Sequence, residues 1–374
     1  MRDFTSVKRV VVKAGTNLLS STSGVDKARI QAIVSQVAAL KNQGKQVLLV
    51  SSGSVALGAK AIKRKEKVSY TALKQACAAI GQPLLMNAYS EEFSKHGLLC
   101  AQILITRAVL NNRTSYNNLR TSVSMLLGMG VVPVFNENDV ISATGVKALD
   151  VFGDNDRLSA MIASKIDADL LVLLTDIDAL YTGDPKKDPE AYRLVNIPTI
   201  TPEVMGYAKG AGSAFSTGGM RTKLLAAQIA QQGGCATVIC SGFEDRVLER
   251  VLNGEELGTC IYPAERIAAR ERWMLNTEPS GTIVVDRGAK KALEAHKSLL
   301  PSGVKAVIGS FDKGEIVSVQ EEGGAVFAKA APYFDSTDLE RILGHKSSEI
   351  DSILGQGRKD VVFRPEDMVE LEDE

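Results

Sequence analysis

Short apolar runs alternate with stretches of helical periodicity along most of the chain. Residues 9–12 read Arg-Val-Val-Val, which is typical of a strand covered on both faces. Gly44 is a suitable terminator for the helix that follows, and a second apolar run occupies residues 46–50. The helical repeat between these runs is carried by Ile30, Ile33, Val34, Val37 and Leu40. A strand, a helix and a strand with short connections predict a βαβ unit.

The same alternation continues through most of the first 265 residues and predicts an α/β fold. Further apolar runs occupy residues 98–105, 131–135, 170–174 and 237–240. Helical periodicity is found over about residues 71–95, 115–127, 156–166, 217–232 and 245–252. Repeated βα units imply a mostly parallel central sheet with helices on both faces. We therefore predict a three-layer αβα sandwich.

The pattern changes between residues 265 and 280, where a charged stretch precedes the turn-rich joint Glu278-Pro279-Ser280-Gly281. Short strands are expected beyond it, over residues 282–285, 304–308, 315–319, 326–330 and 361–363. Short helices are expected near Leu339 and Ile350. The predicted limits are residues 1–265 for the α/β domain, 266–280 for a linker and 281–374 for a small β-rich domain.

Length, charge and cysteine usage restrict the class of protein. At 374 residues the chain is long for one domain, which favours two. The 44 Lys and Arg residues balance 44 Asp and Glu residues, so no overall field attracts the chain to nucleic acid or to a membrane. The five cysteines lack metal-ligand spacing, and we expect reduced, buried thiols. Because no signal peptide or long apolar run is seen, we expect a cytoplasmic protein.

Polar residues follow three of the predicted strands. They are Lys13-Ala14-Gly15-Thr16, Ser51-Ser52-Gly53-Ser54 and Asn136-Glu137-Asn138-Asp139. In a parallel sheet these ends converge on the carboxyl edge, where α/β proteins bind small polar ligands. Glycines beside hydroxyl groups let backbone N–H groups approach an anion, although each loop alone is better explained as a tight turn. Three such loops together favour a ligand site.

Two further segments suggest a phosphate ligand. Ser216–Lys223 contains two glycines and places Lys223 near a helix start. A cation at this position opposes the helix dipole, so an anionic ligand explains the lysine better than helix stability does. Neither this segment nor Gly53–Lys60 matches the Walker pattern, because Ala59 stands at the lysine position. Thr175-Asp176 follows a predicted strand. Two interpretations are open: the pair binds the ribose or phosphates of a nucleotide, or it forms an Asp-rich turn.

Six short motifs in this order over about 220 residues give the chain a specific resemblance. They are Val12-Lys13-Ala14-Gly15-Thr16, Ser51-Ser52-Gly53-Ser54, Asn136-Glu137-Asn138-Asp139, Gly153-Asp154-Asn155-Asp156, Leu173-Leu174-Thr175-Asp176 and Thr217-Gly218-Gly219-Met220-Arg221-Thr222-Lys223. This set resembles the glutamate 5-kinase family, a branch of the amino acid kinases. The C-terminal region looks like the PUA domain that many of these enzymes carry.

The resemblance implies a reaction and its cofactors. ATP would phosphorylate the side-chain carboxylate of L-glutamate to L-glutamyl 5-phosphate, the first step of proline biosynthesis, by direct in-line transfer assisted by two lysines and Mg²⁺. The metal is expected mainly on the ATP phosphates, with no certain protein ligand. A carboxylate has an ordinary pKa of about 4.3, so it is already a nucleophile at neutral pH and needs no general base.

Residue roles follow from the same resemblance, position by position. The implied catalytic residues are Lys13, Lys223, Asp154 and Asp156. The implied ATP-binding residues are Lys13, Gly15, Thr175, Asp176, Thr217, Gly218, Gly219, Met220, Arg221, Thr222 and Lys223. The implied glutamate-binding residues are Ser52, Gly53, Asn136, Asp139 and Asn155, with Asp139 placed to meet the α-ammonium group.

Partners and rival functions complete the expectation. The resemblance implies feedback inhibition by proline and assembly into a homodimer or tetramer. The loop over residues 140–152 is longer than in some relatives, so the strength of the inhibition by proline is the property in which this chain is expected to differ. Acetylglutamate kinase and aspartokinase share the fold, but the former usually lacks a C-terminal domain and the latter carries ACT domains. PUA domains often bind RNA, and the neutral charge weakens that alternative without removing it.

Overall fold

The computed structural model describes residues 2–21, 24–64, 68, 70–142, 155–185, 187–208 and 219–371. The chain divides into two compact units. The first consists of Met1–Arg107 with Asn118–Ile267, and the second of Ala108–Asn117 with Ala268–Glu374. The second unit thus includes a short segment from the middle of the chain, which chain order alone does not predict. The limits 1–265, 266–280 and 281–374 stay predictions.

The α/β region contains strands and helices in the predicted alternation. The strands are β1 Arg9–Ala14, β2 Ser20–Ser21, β3 Gly24–Val25, β4 Gln46–Ser51, β5 Cys100–Ile105, β6 Val132–Glu137, β7 Leu170–Thr175, β8 Leu180–Tyr181, β9 Arg193–Leu194, β10 Asn196–Ile197, β11 Ala236–Ser241 and β12 Thr259–Ile261. The helices are α1 Thr16–Leu19, α2 Lys27–Asn42, α3 Ser54–Ala61, α4 Thr71–Lys95, α5 Arg107–Asn111, α6 Arg113–Gly128, α7 Asn155–Lys165, α8 Pro202–Tyr207, α9 Met220–Gln232 and α10 Val247–Leu252.

The described residues of this region form an eight-stranded sheet in the order β10-β12-β11-β7-β1-β4-β6-β5. The central strand β1 pairs in parallel with β4 and with β7. The pairs β4–β6, β5–β6 and β7–β11 are also parallel, whereas β12 runs antiparallel to β11. The mostly parallel sheet is therefore confirmed, and the antiparallel strand near its edge is an addition.

Helices cover both faces of this sheet. Alternate residues of β1, Val10, Val12 and Ala14, pack in one apolar core with α2, α4 and α10. The opposite face carries α7, which contacts β1, β4 and β7, and α9, which packs on α7 and β11. Gly44, with φ of +79°, follows the end of α2 as the sequence predicts. The αβα layering is thus confirmed.

Helices α3 and α4 approach each other closely because each carries a glycine at the contact. A Cβ added to Gly81 would lie 1.8 Å from the Ser54 carbonyl oxygen, and one added to Gly58 would lie 1.8 Å from the Cys77 carbonyl oxygen. No side chain fits at these separations, so both positions require glycine for this packing. The contact fixes the start of α3 against the first half of α4, and both elements reach the site described below.

The second unit contains a separate five-stranded sheet in the order β14-β13-β15-β16-β17. Its strands are β13 Gly281–Val285, β14 Val304–Gly309, β15 Val317–Glu321, β16 Val326–Ala330 and β17 Met368–Glu370. Its helices after residue 268 are α11 Ala269–Leu275, α12 Arg287–Glu294, α13 Ser336–Ile342 and α14 Ile350–Leu354, with 3-10 turns at Pro301–Gly303, Ser347–Glu349 and Pro365–Asp367. The unit also includes most of α5 and the start of α6. A separate apolar core, including Val285, Phe334 and Phe363, holds the unit together.

Two predictions for this region need correction. Residues 361–363 are buried, but they form no strand; Phe363 makes one isolated bridge to Leu299, and the edge strand is β17. The prediction was wrong because it rested on apolar character alone, and an apolar segment can be buried without pairing as a strand. Helix α12, which begins after the Asp286 cap, was not predicted.

The cysteines are free thiols, as expected. Cys77, Cys235, Cys240 and Cys260 are buried, and Cys100 is partly buried. Burial raises the pKa of the Cys240 thiol to about 12 and that of Cys260 to about 11, so neither forms a thiolate at neutral pH. In the part of the chain that is described, no helix has both the length and the apolar character needed to cross a membrane.

Candidate active site

Parallel strands β1, β4, β6 and β7 end at one edge of the eight-stranded sheet, and most of the predicted site residues follow them there. Lys13 is the penultimate residue of β1 and pairs with Val50 of β4 and Leu173 of β7. Its neighbours Val12 and Ala14 belong to the core on the α2 face. Because side chains alternate along a strand, Lys13 points to the opposite face, where α7 packs.

Lys13, Asp156 and Lys223 form a buried charged cluster. The Lys13 ammonium nitrogen lies 2.5 Å from Oδ1 of Asp156, and that of Lys223 lies 3.0 Å from Oδ2. The Thr222 hydroxyl donates a hydrogen bond to the same Oδ2 at 3.2 Å. The side chains of Lys13, Asp156 and Lys223 are 9%, 0% and 6% exposed. Elements β1, α7 and α9 thus bring together three charges that are far apart in the chain.

Two buried lysines share one carboxylate in this cluster. Burial alone would raise the pKa of the Asp156 carboxyl, but the attraction of Lys13 and Lys223 outweighs it and lowers that pKa below its ordinary value. Asp156 is therefore ionised. Burying ions costs several kcal/mol each even when they are paired, so two lysines that converge on one buried point are better explained by an anionic ligand than by stability.

Helix α9 presents its lysine against the helix dipole. The helix begins at Met220 after Gly219, and its first turn has no acidic residue and no side-chain cap among the described residues. Met220 is buried, whereas Arg221 is exposed at the same turn. A cation near a helix start is unfavourable by itself, because the positive end of the helix dipole repels it.

A network of amides and hydroxyls lies beside the charged cluster. Asn155, which begins α7, directs its Nδ2 to the Ser52 hydroxyl at 2.8 Å, to Oδ1 of Asn136 at 3.0 Å and to the Ser51 carbonyl oxygen at 3.0 Å. Gly53 follows Ser52 with φ of +106°, a left-handed conformation suited to glycine, and caps α3. The structure therefore brings together Ser52 and Asn136, whose strand ends were predicted to converge, and Asn155, which joins them from the start of α7.

Asp139 meets a residue that sequence reasoning missed. Its Oδ1 lies 3.2 Å from the ammonium nitrogen of Lys74, which lies in the first turn of α4. Its Oδ2 accepts a hydrogen bond from the Ser54 hydroxyl at 3.4 Å. Lys74 resembles any charged residue on an exposed helix, and its partner is distant in sequence. No signal in the sequence alone could have found this pair.

Gln82 is a second residue that was missed. It lies on the buried stripe of α4 between Ala78 and Leu85 and is itself buried. Its Oε1 accepts a hydrogen bond from Nδ2 of Asn136 at 2.9 Å, which orients that amide toward Asn155. Here a signal did exist, since a glutamine at an apolar position of a helical repeat needs a polar partner.

The predicted nucleotide segment after β7 is also at this edge. Asn17 donates from Nδ2 to Oδ2 of Asp176 at 3.0 Å, and the Thr175 hydroxyl donates to Oδ1 at 3.1 Å. Burial opposes ionisation of Asp176, but these hydrogen bonds and the charge of Lys223 lower its pKa. Gly15 precedes α1 immediately after β1. Three implied site residues, Asp154, Thr217 and Gly218, lie outside the described residues, as do Gly153 and Ser216.

A cavity of about 530 Å³ lies at the opposite, amino edge of the same sheet. Its polar lining includes Lys8, Arg9, Gln46, Arg120, Asp167 and Asp169. Oδ2 of Asp169 accepts the backbone N–H groups of Lys8 and Arg9, each at 2.8 Å, and Arg120 pairs with Asp167. The Arg9 guanidinium donates to the Ile166 carbonyl oxygen. These charges serve the fold, so the cavity is the weaker candidate despite its size.

Among the described residues, no group of three His, Cys, Asp or Glu side chains able to hold a metal is found. Asp156, the carboxylate at the centre of the cluster, contacts two lysines. Mg²⁺ prefers several oxygen ligands in octahedral geometry, which Asp156 alone cannot supply.

Comparison with known proteins identifies the family. Residues 8–241 match the amino acid kinase family, and residues 281–354 match the PUA domain. A glutamate 5-kinase of Citrifermentans bemidjiense is 44% identical over 369 residues, covering 98% of both chains. The chain belongs to the amino acid kinase family, and within it to the glutamate 5-kinases. Its mostly parallel αβα sheet and its separate β-rich sheet are the fold expected of such a chain.

Other members of the family agree over nearly the full length. A glutamate 5-kinase of Caulobacter vibrioides is 44% identical over 357 residues, covering 94% of each chain. One of Methanosarcina acetivorans is 40% identical over 378 residues, covering 99% of this chain and 97% of the relative. The similarity extends through the PUA domain, so the family assignment applies to both units.

Proposed function

We propose that this protein transfers the γ-phosphoryl group of ATP to the side-chain carboxylate of L-glutamate, which yields ADP and L-glutamyl 5-phosphate for proline biosynthesis. The observation that carries the proposal is the buried Lys13–Asp156–Lys223 cluster, in which two lysines converge on one carboxylate beside a network of amides and hydroxyls. The glutamate 5-kinases that match the chain over nearly its full length support the same substrate.

The reaction needs neutralised charge more than it needs a base. A carboxylate oxygen attacks the γ-phosphorus, the bond to the bridging oxygen of ADP breaks, and no proton has to move. Two unit charges about 3.5 Å apart repel each other by roughly 5 kcal/mol at an effective dielectric near 20. The protein must therefore lower the cost of bringing a carboxylate to a polyphosphate.

Lys13 and Lys223 suit this task. Both ammonium groups are buried and are held within 3.0 Å of one carboxylate, so they are oriented before a ligand arrives. Preorganised cations aimed at the transferring group stabilise the transition state most strongly, where charge spreads over the phosphoryl oxygens. Asp156 positions both lysines. We assign Asp154 a supporting role only by resemblance, because it lies outside the described residues.

The amide network suits the substrate. Ser52 and Asn155 lie next to Asp156 along the network, and Asn136 connects them to Ser54 and so to Asp139. In the proposal, glutamate lies along this line with its reacting carboxylate near the lysines and its α-ammonium at Asp139. A carboxylate there favours a free ammonium over an acetylated nitrogen, which argues for glutamate over acetylglutamate.

The nucleotide is assigned to the neighbouring loops. Gly15, Thr175 and Asp176 lie beside Lys13, and Gly219 to Lys223 open α9, so the phosphates would lie between β1, β7 and the start of α9. Magnesium would neutralise phosphate charge when it accompanies ATP, and no step is assigned to a protein ligand. Feedback inhibition by proline and assembly into a homodimer or tetramer rest on the resemblance alone, and RNA binding by the PUA domain stays an alternative prediction.

The test is the formation of acyl phosphate, trapped by hydroxylamine as the hydroxamate. Glutamate, acetylglutamate and aspartate would each be offered with ATP and Mg²⁺ under the same conditions. We expect ATP-dependent hydroxamate with glutamate at a kcat/KM at least about 100-fold above the other two acceptors. Preference for acetylglutamate or aspartate, or no turnover of glutamate, would overturn the proposal.

A further inference from the structure

Lys74 is an unusual residue at the far end of the site. Its ammonium nitrogen lies 3.2 Å from Oδ1 of Asp139, and the two side chains are 44% and 12% exposed. Lys74 is in the first turn of α4, where none of the residues is acidic and the helix dipole disfavours a cation. Its position therefore costs helix stability, and an exposed ion pair returns little.

The Lys74–Asp139 pair and the charged cluster lie at opposite ends of one polar network. Asn136 donates to the Ser54 hydroxyl at 3.4 Å and accepts from Asn155 at 3.0 Å. Ser54 in turn donates to Asp139. Asn155 directly precedes Asp156, which holds the two buried lysines. A substrate lying along the network would have its reacting carboxylate at one end and its other groups at the Lys74–Asp139 pair.

An amino acid presents two opposite charges at that second end. The α-ammonium needs an anion, which Asp139 supplies, and the α-carboxylate needs a cation. Lys13 and Lys223 are tied to Asp156 at the other end of the network and serve the transferring group. Lys74 is already in contact with Asp139, is close to half exposed and has a flexible side chain that can move without unpacking the core.

We propose that the Lys74–Asp139 pair binds both charges of the α-amino acid group. In the free protein the two residues pair with each other. When glutamate binds, its α-ammonium takes Asp139 and its α-carboxylate takes Lys74, so one ion pair is exchanged for two. Lys74 is then a specificity-determining residue for acceptors with a free α-carboxylate. This inference rests on the proposed function and deepens it.

A structural role for Lys74 makes a different prediction. If Lys74 only neutralises and positions Asp139, its removal weakens every acceptor that carries an ammonium group to the same extent. If it binds the α-carboxylate, its removal weakens only acceptors that carry one. Glutamate and its α-amide, isoglutamine, separate the two cases, because they share the ammonium and the reacting carboxylate and differ only in the α-carboxylate charge.

The experiment measures kcat/KM for hydroxamate formation with glutamate and isoglutamine in the wild type, Lys74→Met and Lys74→Arg. We expect the wild type to prefer glutamate by about tenfold or more, since a charged hydrogen bond to the α-carboxylate is lost in the amide. Lys74→Met should lower kcat/KM for glutamate by about tenfold, mainly through KM, and change isoglutamine by less than about twofold. Lys74→Arg should restore part of the preference.

The matched control is Lys95→Met in the same helix. Lys95 pairs with Glu92 at 2.5 Å, and these side chains are 63% and 10% exposed, so a comparable ion pair is removed far from the network. The preference of the Lys95→Met variant for glutamate over isoglutamine should stay at the wild-type value. An equal loss for both acceptors in Lys74→Met, or a wild type without preference, would overturn the inference while glutamate turnover still supports the function. A wild type that does not turn over glutamate would instead overturn both.

Discussion

The two edges of the central sheet both carry charged residues, yet they use them differently. At the amino edge, Asp169 accepts backbone N–H groups and Arg9 donates to a backbone carbonyl. At the carboxyl edge, Lys13 and Lys223 share Asp156 in a place closed to water. The first arrangement satisfies strand and helix ends, and the second gathers two buried lysines around one carboxylate.

The two edges differ in how deeply their charged groups are buried. A cavity of about 530 Å³ lies at the amino edge, so the presence of a cavity does not by itself identify the site. The presence of arginine or lysine beside aspartate does not decide either, since both edges have it. What separates the edges is burial: Lys13, Asp156 and Lys223 are almost fully buried, whereas the Arg120–Asp167 pair is partly exposed. Two buried lysines on one carboxylate are costly to the fold and are typical of a site that binds an anion.

The largest effect should follow from Asp156→Asn. The change leaves two buried ammonium groups without their carboxylate, so we expect the free energy of unfolding to fall by about 3–5 kcal/mol and kcat to fall by about 100-fold or more. Denaturant unfolding and hydroxamate kinetics measure the two losses. Asp167→Asn at the amino edge is the matched control, and equal effects of the two changes would remove the distinction between the edges.

Asp139→Asn should weaken the binding of glutamate but not that of ATP. Loss of the carboxylate that meets the α-ammonium should raise the KM for glutamate by about tenfold or more, because a charged hydrogen bond is lost. The KM for ATP should change by less than about twofold. Steady-state kinetics with each substrate varied in turn give both values. A similar rise in both constants would contradict the separate assignment of Asp139 to glutamate.

The contribution of Asp156 to stability should depend on pH in a defined direction. Its pKa in the folded protein is lowered, so its contribution is complete above the ordinary aspartate pKa of about 3.9 and is lost as the pH falls through the lower folded value. The difference in unfolding free energy between the wild type and Asp156→Asn should be constant from about pH 6 to 8 and shrink below about pH 4. A difference that shrinks near neutral pH would show that the carboxyl is not held ionised.

The smallest effect is expected at the amino edge. Arg120 pairs with Asp167, and both side chains are partly exposed. Arg120→Met should change the free energy of unfolding by no more than about 1 kcal/mol, as is usual for such pairs, and leave kcat within about twofold. Thermal unfolding and the hydroxamate assay check this. A large loss of activity with an intact fold would make the amino-edge cavity a second functional site.

The order of strands and helices could be predicted because buried parallel strands and amphipathic helices leave strong patterns. Helix α4 has the predicted limits, Thr71–Lys95, although Pro83 lies inside it. The failure at residues 361–363 has the opposite cause, since a short apolar segment is buried equally well with or without strand partners. The antiparallel pairing of β12 is likewise a matter of tertiary contact and leaves no periodic signal.

The candidate site could be predicted as far as its residues follow strand ends. Lys13, Ser52 and Asn136 follow this rule and lie where the parallel sheet places them. Lys74 does not follow a strand end. The sequence around a lysine on an exposed helix is the same whether or not a carboxylate from another loop pairs with it. The pairing with Asp139 depends on the close packing of α3 on α4, which the two glycines at that contact make feasible.

The central claim is that the two buried lysines at the carboxyl edge stabilise the phosphoryl group during its transfer. The most direct measurement is kcat for glutamyl phosphate formation by Lys223→Met at saturating ATP and glutamate, with folding verified by thermal unfolding. Because Lys223 is expected to contribute mainly in the transition state, kcat should fall by about 100-fold or more while the KM for ATP changes much less. An unchanged kcat in a folded variant would contradict the account.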